Sequence, residues 1–175
     1  GNIGGGTGMA LYGFKGGNGT ASRMIKIDTA TYTVGVFMQA NFGGRNDLLI
    51  AGIPVGREIK DHQAVLNKKK KKDGSVIIII ATDAPLLPSQ LKLVAKRAAM
   101  GIARTGSFAH NGSGDIFLAF STQSPPPNAK GTHQIWNVLT KEALDRVFKA
   151  TVEATEESVI NALIAAETMK GKNGT

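Results

Sequence analysis

Five β-branched aliphatic residues in succession, Val76-Ile77-Ile78-Ile79-Ile80, stand just beyond a run of five lysines at 68–72. Side chains branched at Cβ lose rotamer freedom in a helix and pack well on a pleated surface, so residues 75–82 are predicted to be a strand. The stretch is aliphatic without alternation, which predicts a central strand buried on both faces, since a half-exposed one would alternate. Such a strand needs neighbours at both edges and cover on its faces, which points to layered secondary structure. The run is also far short of the ~20 residues a helix needs to cross a bilayer, so transmembrane readings are excluded.

The rest of the chain supplies those layers. Glycine makes up 22 of 175 residues, against an average near ~7%, and it concentrates before residue 60. Segments 9–14 and 20–27 read as two strands around the glycine turn Gly16-Gly17-Asn18-Gly19. Segments 32–40 and 48–59 read as a second hairpin about the turn-like 41–47. Residues 61–73 are polar and lysine-rich, an expected exposed and mobile connection. Pro88 and Ser89 suit a helix start, Leu91, Val94, Ala98 and Ile102 share one face, and Thr105-Gly106 is the stop. Segment 115–120 reads as a strand, which the Pro125-Pro126-Pro127 loop cannot continue. From 140 to 169 the pattern is helical, with Leu144, Val147, Phe148, Val152, Val159, Ile160, Leu163 and Ile164 as the apolar stripe. Thr155 followed by Glu156 and Glu157 resembles a fresh N-terminus, so two helices are predicted there. The fold class is α+β, and 175 residues suffice for one domain with a real core.

Charge excludes less than it first suggests. The balance is 21 basic against 13 acidic residues, or +8, but removing the five lysines of 68–72 leaves +3. That is ordinary for a soluble domain and provides no second basic patch to follow a phosphate backbone. Aromatic residues do not interleave with the lysines, so base stacking has no platform. A solvated loop is the better reading, with an anion-binding module the competing one. The chain has no cysteine, which removes disulfide frameworks, thiolate metal sites and thiol catalysis. Gly1 is not an initiator Met and no apolar signal segment follows it, so the natural start is expected to lie upstream; localisation stays open, with the cytoplasm favoured.

Several motifs fail on inspection. Gly8 to Gly13 has Walker spacing, but Phe14 stands where the phosphate-binding lysine belongs, so turn-forming glycine is the better reading. His62, His110 and His133 lack the spacing that aims two imidazoles at one metal. Three glycosylation sequons, beginning at Asn18, Asn111 and Asn173, are given no function.

Asp73-Gly74-Ser75 is different, because it puts a hydroxyl at the first position of the predicted central strand. Serine is a weak nucleophile and needs an adjacent base, yet no histidine lies near it in sequence. If the Gly74–Ser75 bond were cut, the serine's own α-amine, with a pKa near ~8, would serve. Gly74 lacks a Cβ and is free to adopt a strained conformation that offers its carbonyl to the hydroxyl. The bland alternative is a Gly-Ser turn before a strand.

The surrounding words extend the argument: Gly4-Gly5-Gly6-Thr7-Gly8-Met9, Gly13-Phe14-Lys15-Gly16-Gly17 with Gly19-Thr20-Ala21-Ser22-Arg23, the segment 36–43 (VFMQANFG), Gly52-Ile53-Pro54-Val55-Gly56, Ala81-Thr82-Asp83-Ala84-Pro85-Leu86, Gly112-Ser113-Gly114-Asp115, and Asn161-Ala162-Leu163 with Glu167-Thr168-Met169. In this order, over essentially the whole chain, they make the sequence closely resemble the DmpA-type family of L-aminopeptidase/D-amino-acid esterase-amidases and β-peptidyl aminopeptidases. What it resembles is roughly the C-terminal half of such a protein. The family's N-terminal half supplies part of the sheet and of the substrate pocket.

The resemblance implies an αββα four-layer sandwich, here incomplete, and a precursor that cleaves itself before an internal serine. Ser75 matches that serine, so 1–74 would be the C-terminal part of the α chain and 75–175 the β chain, with Gly74 and Ser75 as the cleavage site. Ser75 would be the nucleophile with its own amine as base, and Asn41 would donate to the oxyanion. Ser113 and Asp115 would hydrogen-bond around the nucleophile and its ammonium; some members carry Glu where Asp115 stands. Implied partners are short peptides, amino-acid amides or esters, a symmetric homo-oligomer and the N-terminal half. No cofactor, metal, nucleic acid or membrane is implied. Among α-, D- and β-amino-acid substrates the choice stays open. Bland readings stand beside these: Asn41 as a turn residue, Gly112-Ser113-Gly114 as a loop, and the whole chain as a non-catalytic assembly or binding module.

Overall fold

A computed structural model of the protein describes residues 1–60, 74–123 and 135–171. A 3-10 turn at Gly4–Gly6 leads into two short paired strands, β1 (Ala10–Leu11) and β2 (Phe14–Lys15), joined by left-handed Tyr12 and Gly13. Two long strands follow, β3 (Asn18–Ile27) and β4 (Ala30–Asn41), then a second 3-10 turn at Arg45–Asp47 and the single-turn helix α1 (Val55–Glu58). The remainder is β5 (Ser75–Thr82), α2 (Pro88–Arg104), β6 (Ile116–Ser121) and α3 (Leu144–Ile164).

The four long strands form one sheet in the order β3-β4-β5-β6. The first three run antiparallel, and β6 lies parallel to β5 after the crossover through α2. α3 covers β3 and β4, α2 covers β5 and β6, and the two helices touch each other on that one face. The core is the layer between, where Val34, Val36, Met38 and Ala40 of β4 and Val76, Ile78 and Ile80 of β5 meet Val94 and Ala98 of α2 and Val147, Ala154 and Val159 of α3. The α+β class follows the sequence reading, with one helix layer on one sheet layer.

Three expectations are corrected. Strand 75–82 is buried on one face only: Val76, Ile78, Ile80 and Thr82 point at the helices, whereas Ile77 is 42% exposed. The uniform aliphatic run conceals an alternation imposed by the pleat, because both faces carry isoleucine. On the far face Phe37, Leu118 and Phe120 are likewise exposed, so this apolar surface is left uncovered by the described residues.

Second, 48–59 does not pair with β4, whose partner is β3 in a hairpin through Asp28. Ala51 and Gly52, both left-handed, fold the chain into the Ile50–Ile53 bridge. The next residue, Pro54, has no N–H to give a ladder and instead precedes a helical turn. In the same way 9–14 is not one strand: Ala10–Leu11 turns back to pair with Phe14–Lys15 in the tight β1–β2 hairpin.

Third, α3 is a single helix through Thr155. Thr155 is fully buried against α2, where a Cβ on Gly101 would lie 2.5 Å from the threonine's own Cβ, so glycine is what permits the close approach. Glu156 and Glu157 do not serve a new N-terminus. They reach across to Arg104 (2.7 Å) and Arg23 in ion pairs. Helix α2 matches its expected span: Leu87 N–H is capped by Gln90 Oε1 at 2.8 Å, Pro88 occupies the first turn, and Gly106 is left-handed at the stop.

Among the described residues no helix is long and apolar enough to cross a membrane, and no cluster of three or more His, Asp or Glu could hold a metal. His62, His133, Asp73, the lysine run and the proline loop lie outside the described residues.

Candidate active site

The sheet brings the candidate residues to one end. Asn41 is the last residue of β4, Ser75 is the first of β5, and the two are directly opposite in the antiparallel ladder. Facing pairs in such a ladder share a face, and here each alternates with a buried neighbour, Ala40 and Val76. Both side chains therefore sit on the face away from the helices. Ser75 is exposed.

Asn41 is oriented by a hydrogen bond from outside the sheet. The backbone N–H of Ala10, in β1, donates to Asn41 Oδ1 at 3.0 Å. A backbone N–H can only donate, so the atom facing it is the amide oxygen and the Nδ2 group is turned the other way, available as a donor. The glycine loop of residues 4–8 crosses the same face: a Cβ on Gly5 would lie 2.2 Å from Gln39 Oε1, two residues before Asn41. A side chain at that position would displace the flexible end of Gln39.

The turn that leads into Ala10 is held by Lys15. Its Nζ donates to the carbonyl oxygens of Gly6 at 3.0 Å, Gly16 at 3.3 Å, and Met9. Partial burial among these carbonyls pushes the Lys15 pKa below its ordinary value. No ion pair among the described residues includes Lys15.

Because β6 runs parallel to β5, the segment leading into β6 arrives beside Ser75. The Gly114 N–H donates to the carbonyl oxygen of Gly74 at 3.2 Å, and a Cβ on Gly114 would sit 3.6 Å from Ser75 Cβ. Ser113 Oγ donates to Asp115 Oδ1 at 2.6 Å. These two side chains are thus brought together, flanking Gly114, but among the described residues neither hydrogen-bonds Ser75. Gly74 is not in the left-handed backbone region, so the structure shows no strained conformation there; a Cβ would lie a tight 3.2 Å from both Asn41 O and Phe42 Cα. His110 lies apart from any metal cluster, its ring packed on Phe108 with centroids 4.2 Å apart.

The sequence places Ser75 at a strand head but gives no sign that Lys15, Ala10 and the Gly114 N–H surround the Asn41–Ser75 pair. Lys15 fell inside the quoted Gly-Phe-Lys-Gly-Gly word, yet its partners are backbone carbonyls, which leave no side-chain signature.

Comparison with known proteins gives the same picture throughout. The model for peptidase family S58 matches residues 1–175. The chain is 47% identical over 186 aligned positions to the β-peptidyl aminopeptidase BapA of Sphingosinicella microcystinivorans, covering 99% of this chain and 47% of that protein. Among solved structures, the PH0078 protein of Pyrococcus horikoshii OT3 superposes with a TM-score of 0.86 at 48% identity, over 99% of this chain and 47% of the other. The L-aminopeptidase D-Ala-esterase/amidase of Ochrobactrum anthropi, described as a prototype for the serine aminopeptidases and a variant of the Ntn hydrolase fold, gives 0.84 at 45% identity, over 98% of this chain and 46% of that one. The chain spans about half the length of these relatives.

Proposed function

This chain belongs to peptidase family S58, and we propose that it forms the nucleophile-bearing half of a self-processing serine aminopeptidase that removes N-terminal residues from short peptides, amides or esters. The observation that carries the reading is the Asn41–Ser75 pair, a hydroxyl at the head of a rigid strand facing an amide whose oxygen is already committed to Ala10.

Processing comes first. Ser75 Oγ attacks the Gly74 carbonyl carbon, the hydroxyl proton passes to the Ser75 nitrogen as the C–N bond breaks, and the acyl group moves from nitrogen to oxygen as an ester. Water then hydrolyses the ester, leaving a Gly74 carboxylate and a Ser75 with a free amine. The Gly114 N–H, on the Gly74 oxygen at 3.2 Å, supports this step by stabilising charge on that oxygen. In turnover the freed amine takes the Ser75 hydroxyl proton, Oγ attacks the substrate carbonyl, and the leaving amine or alcohol departs from an acyl-enzyme that water resolves. Asn41 Nδ2 donates to the oxyanion in both half-reactions. Ser113 and Asp115 orient the new ammonium. On this reading 1–74 ends the α chain and 75–175 is the β chain. The N-terminal half completes the pocket, and the molecule assembles as a symmetric oligomer.

The test is the intact mass of the protein after incubation, beside Ser75→Ala. Fragments ending at Gly74 and beginning at Ser75, in the wild type alone, support the reading. An uncut chain, even when co-expressed with a family N-terminal half, overturns it. The second reading, a non-catalytic assembly module, draws on the uncovered apolar face bearing Phe37, Leu118 and Phe120, and on that outcome it takes precedence.

A further inference from the structure

The Met9–Ala10 peptide group lies between two of the contacts described above. Its carbonyl oxygen accepts from Lys15 Nζ, and its N–H donates to Asn41 Oδ1 at 3.0 Å. A trans peptide directs its C=O and N–H to opposite sides. An ammonium on one side therefore faces, through a single planar unit, a side-chain amide on the other. The β1–β2 ladder fixes the arrangement, because Ala10 and Lys15 are paired residues within it.

We propose that Lys15 is a positioning residue for the oxyanion donor, acting through the Met9–Ala10 peptide group to hold and polarise the Asn41 side-chain amide. The inference rests on the proposed role of Asn41. Its physical basis is cooperative polarisation: a cation at the carbonyl draws electron density from the peptide, Ala10 N–H becomes a stronger donor, and Asn41 Oδ1 then accepts more strongly. Withdrawal of density from Asn41 Oδ1 leaves its Nδ2 hydrogens more positive, so they stabilise a developing oxyanion better. Lys15 touches no reacting atom. The Gly6 and Gly16 carbonyls fix its Nζ in place, so the charge is preorganised.

The proposal makes the donor's strength depend on the Lys15 proton. Tyr12, three positions away in the same hairpin, is raised by burial to about 12. Arg45, whose guanidinium lies over the Phe14 ring, has its own pKa lowered by burial.

Two measurements test this. In the first, the wild-type Met9 carbonyl-carbon and Asn41 Cγ shifts are followed by carbon-detected NMR from neutral to high pH. Both are expected to move upfield in one step with the Lys15 side-chain resonance, separately from the Tyr12 step. Invariance of both shifts across the Lys15 titration overturns the proposal. This experiment needs neither a variant nor activity, so it stands or falls apart from the proposed function.

The second is a double-mutant cycle on kcat in the full-length processed enzyme. Lys15→Met is expected to lower kcat ~10-fold with KM little changed, a fraction of the 10²–10³-fold that loss of a whole donor brings. In an Asn41→Ala background the same substitution is expected to have almost no further effect. Full additivity of the two substitutions overturns the relay.

Discussion

The backbone N–H of Gly114 donates to the carbonyl oxygen of Gly74 across the start of the parallel β5–β6 pair, at 3.2 Å. That oxygen belongs to the bond whose cleavage would free Ser75. Gly114→Pro removes the donor and is expected to slow appearance of the Gly74 and Ser75 termini by ~10²–10³-fold. Gly114→Ala keeps the N–H, and its Cβ meets Ser75 Cβ at an ordinary 3.6 Å, so cleavage near the wild-type rate is expected. Time-resolved intact mass distinguishes the two, with circular dichroism checking that each variant is folded. Equal rates in both would remove the N–H from the mechanism.

Asn41→Asp separates holding from donating. Aspartate still accepts from Ala10 N–H, so the thermal midpoint should change by only a few degrees. It offers no donor and brings a negative charge toward the oxyanion, so kcat/KM should fall by ~10²-fold or more. Retained activity would show that Asn41 is only a turn residue.

Tyr12 supplies a pH signature of folding. It is fully buried and shares a 2.8 Å hydrogen bond with Thr105 Oγ1. Burial pushes its pKa up from 10.0 to about 12. The protonated phenol is therefore favoured by folding. That contribution is complete below pH ~10, the unfolded value, and is lost as pH rises through the folded value near ~12. Denaturant unfolding should show ~2–3 kcal/mol of stability lost over that interval, and Tyr12→Phe should flatten this part of the profile. An identical slope in the variant would assign the loss to other groups.

The α2–α3 contact offers a pair of substitutions with opposite signs. Gly101→Ala places a methyl 2.5 Å from Thr155 Cβ and 2.7 Å from Val152 O, and should destabilise by ~1–3 kcal/mol. Thr155 Oγ1 is buried with no hydrogen-bond partner among the described residues. Thr155→Val keeps the shape and removes that unpaired hydroxyl, so a gain of ~1 kcal/mol is expected in urea unfolding. A loss on Thr155→Val would mean the hydroxyl is satisfied after all.

Local signals in the sequence suffice where one element decides its own structure. The aliphatic run gave β5, and Pro88 with the Thr105-Gly106 stop gave α2 to within a residue. Errors arose where distant partners decide. Glu156 and Glu157 look like a helix start until Arg104 and Arg23 are seen to claim them, and 48–59 looks like a strand until β3 is seen to occupy β4's edge. The same limit applies at the site. Ser75 could be placed at a strand head, but its facing residue is 34 positions away and depends on long-range register. Lys15 was harder still, since the groups that fix it are carbonyls common to every residue.

The position of β5 inside the sheet has a consequence for any two-chain product. A break between Gly74 and Ser75 falls just outside the β4–β5 ladder, whose end pair is Asn41 and Ser75, so no rung is lost. The two pieces would hold two strands each of a single sheet, β3 and β4 on one and β5 and β6 on the other. Nothing would let them drift apart short of melting the sheet, and once melted they would have to find each other by diffusion. Unfolding, concentration-independent for a single chain, would then become dilution-sensitive, and longevity of the cut molecule would be a matter of barrier height more than of equilibrium.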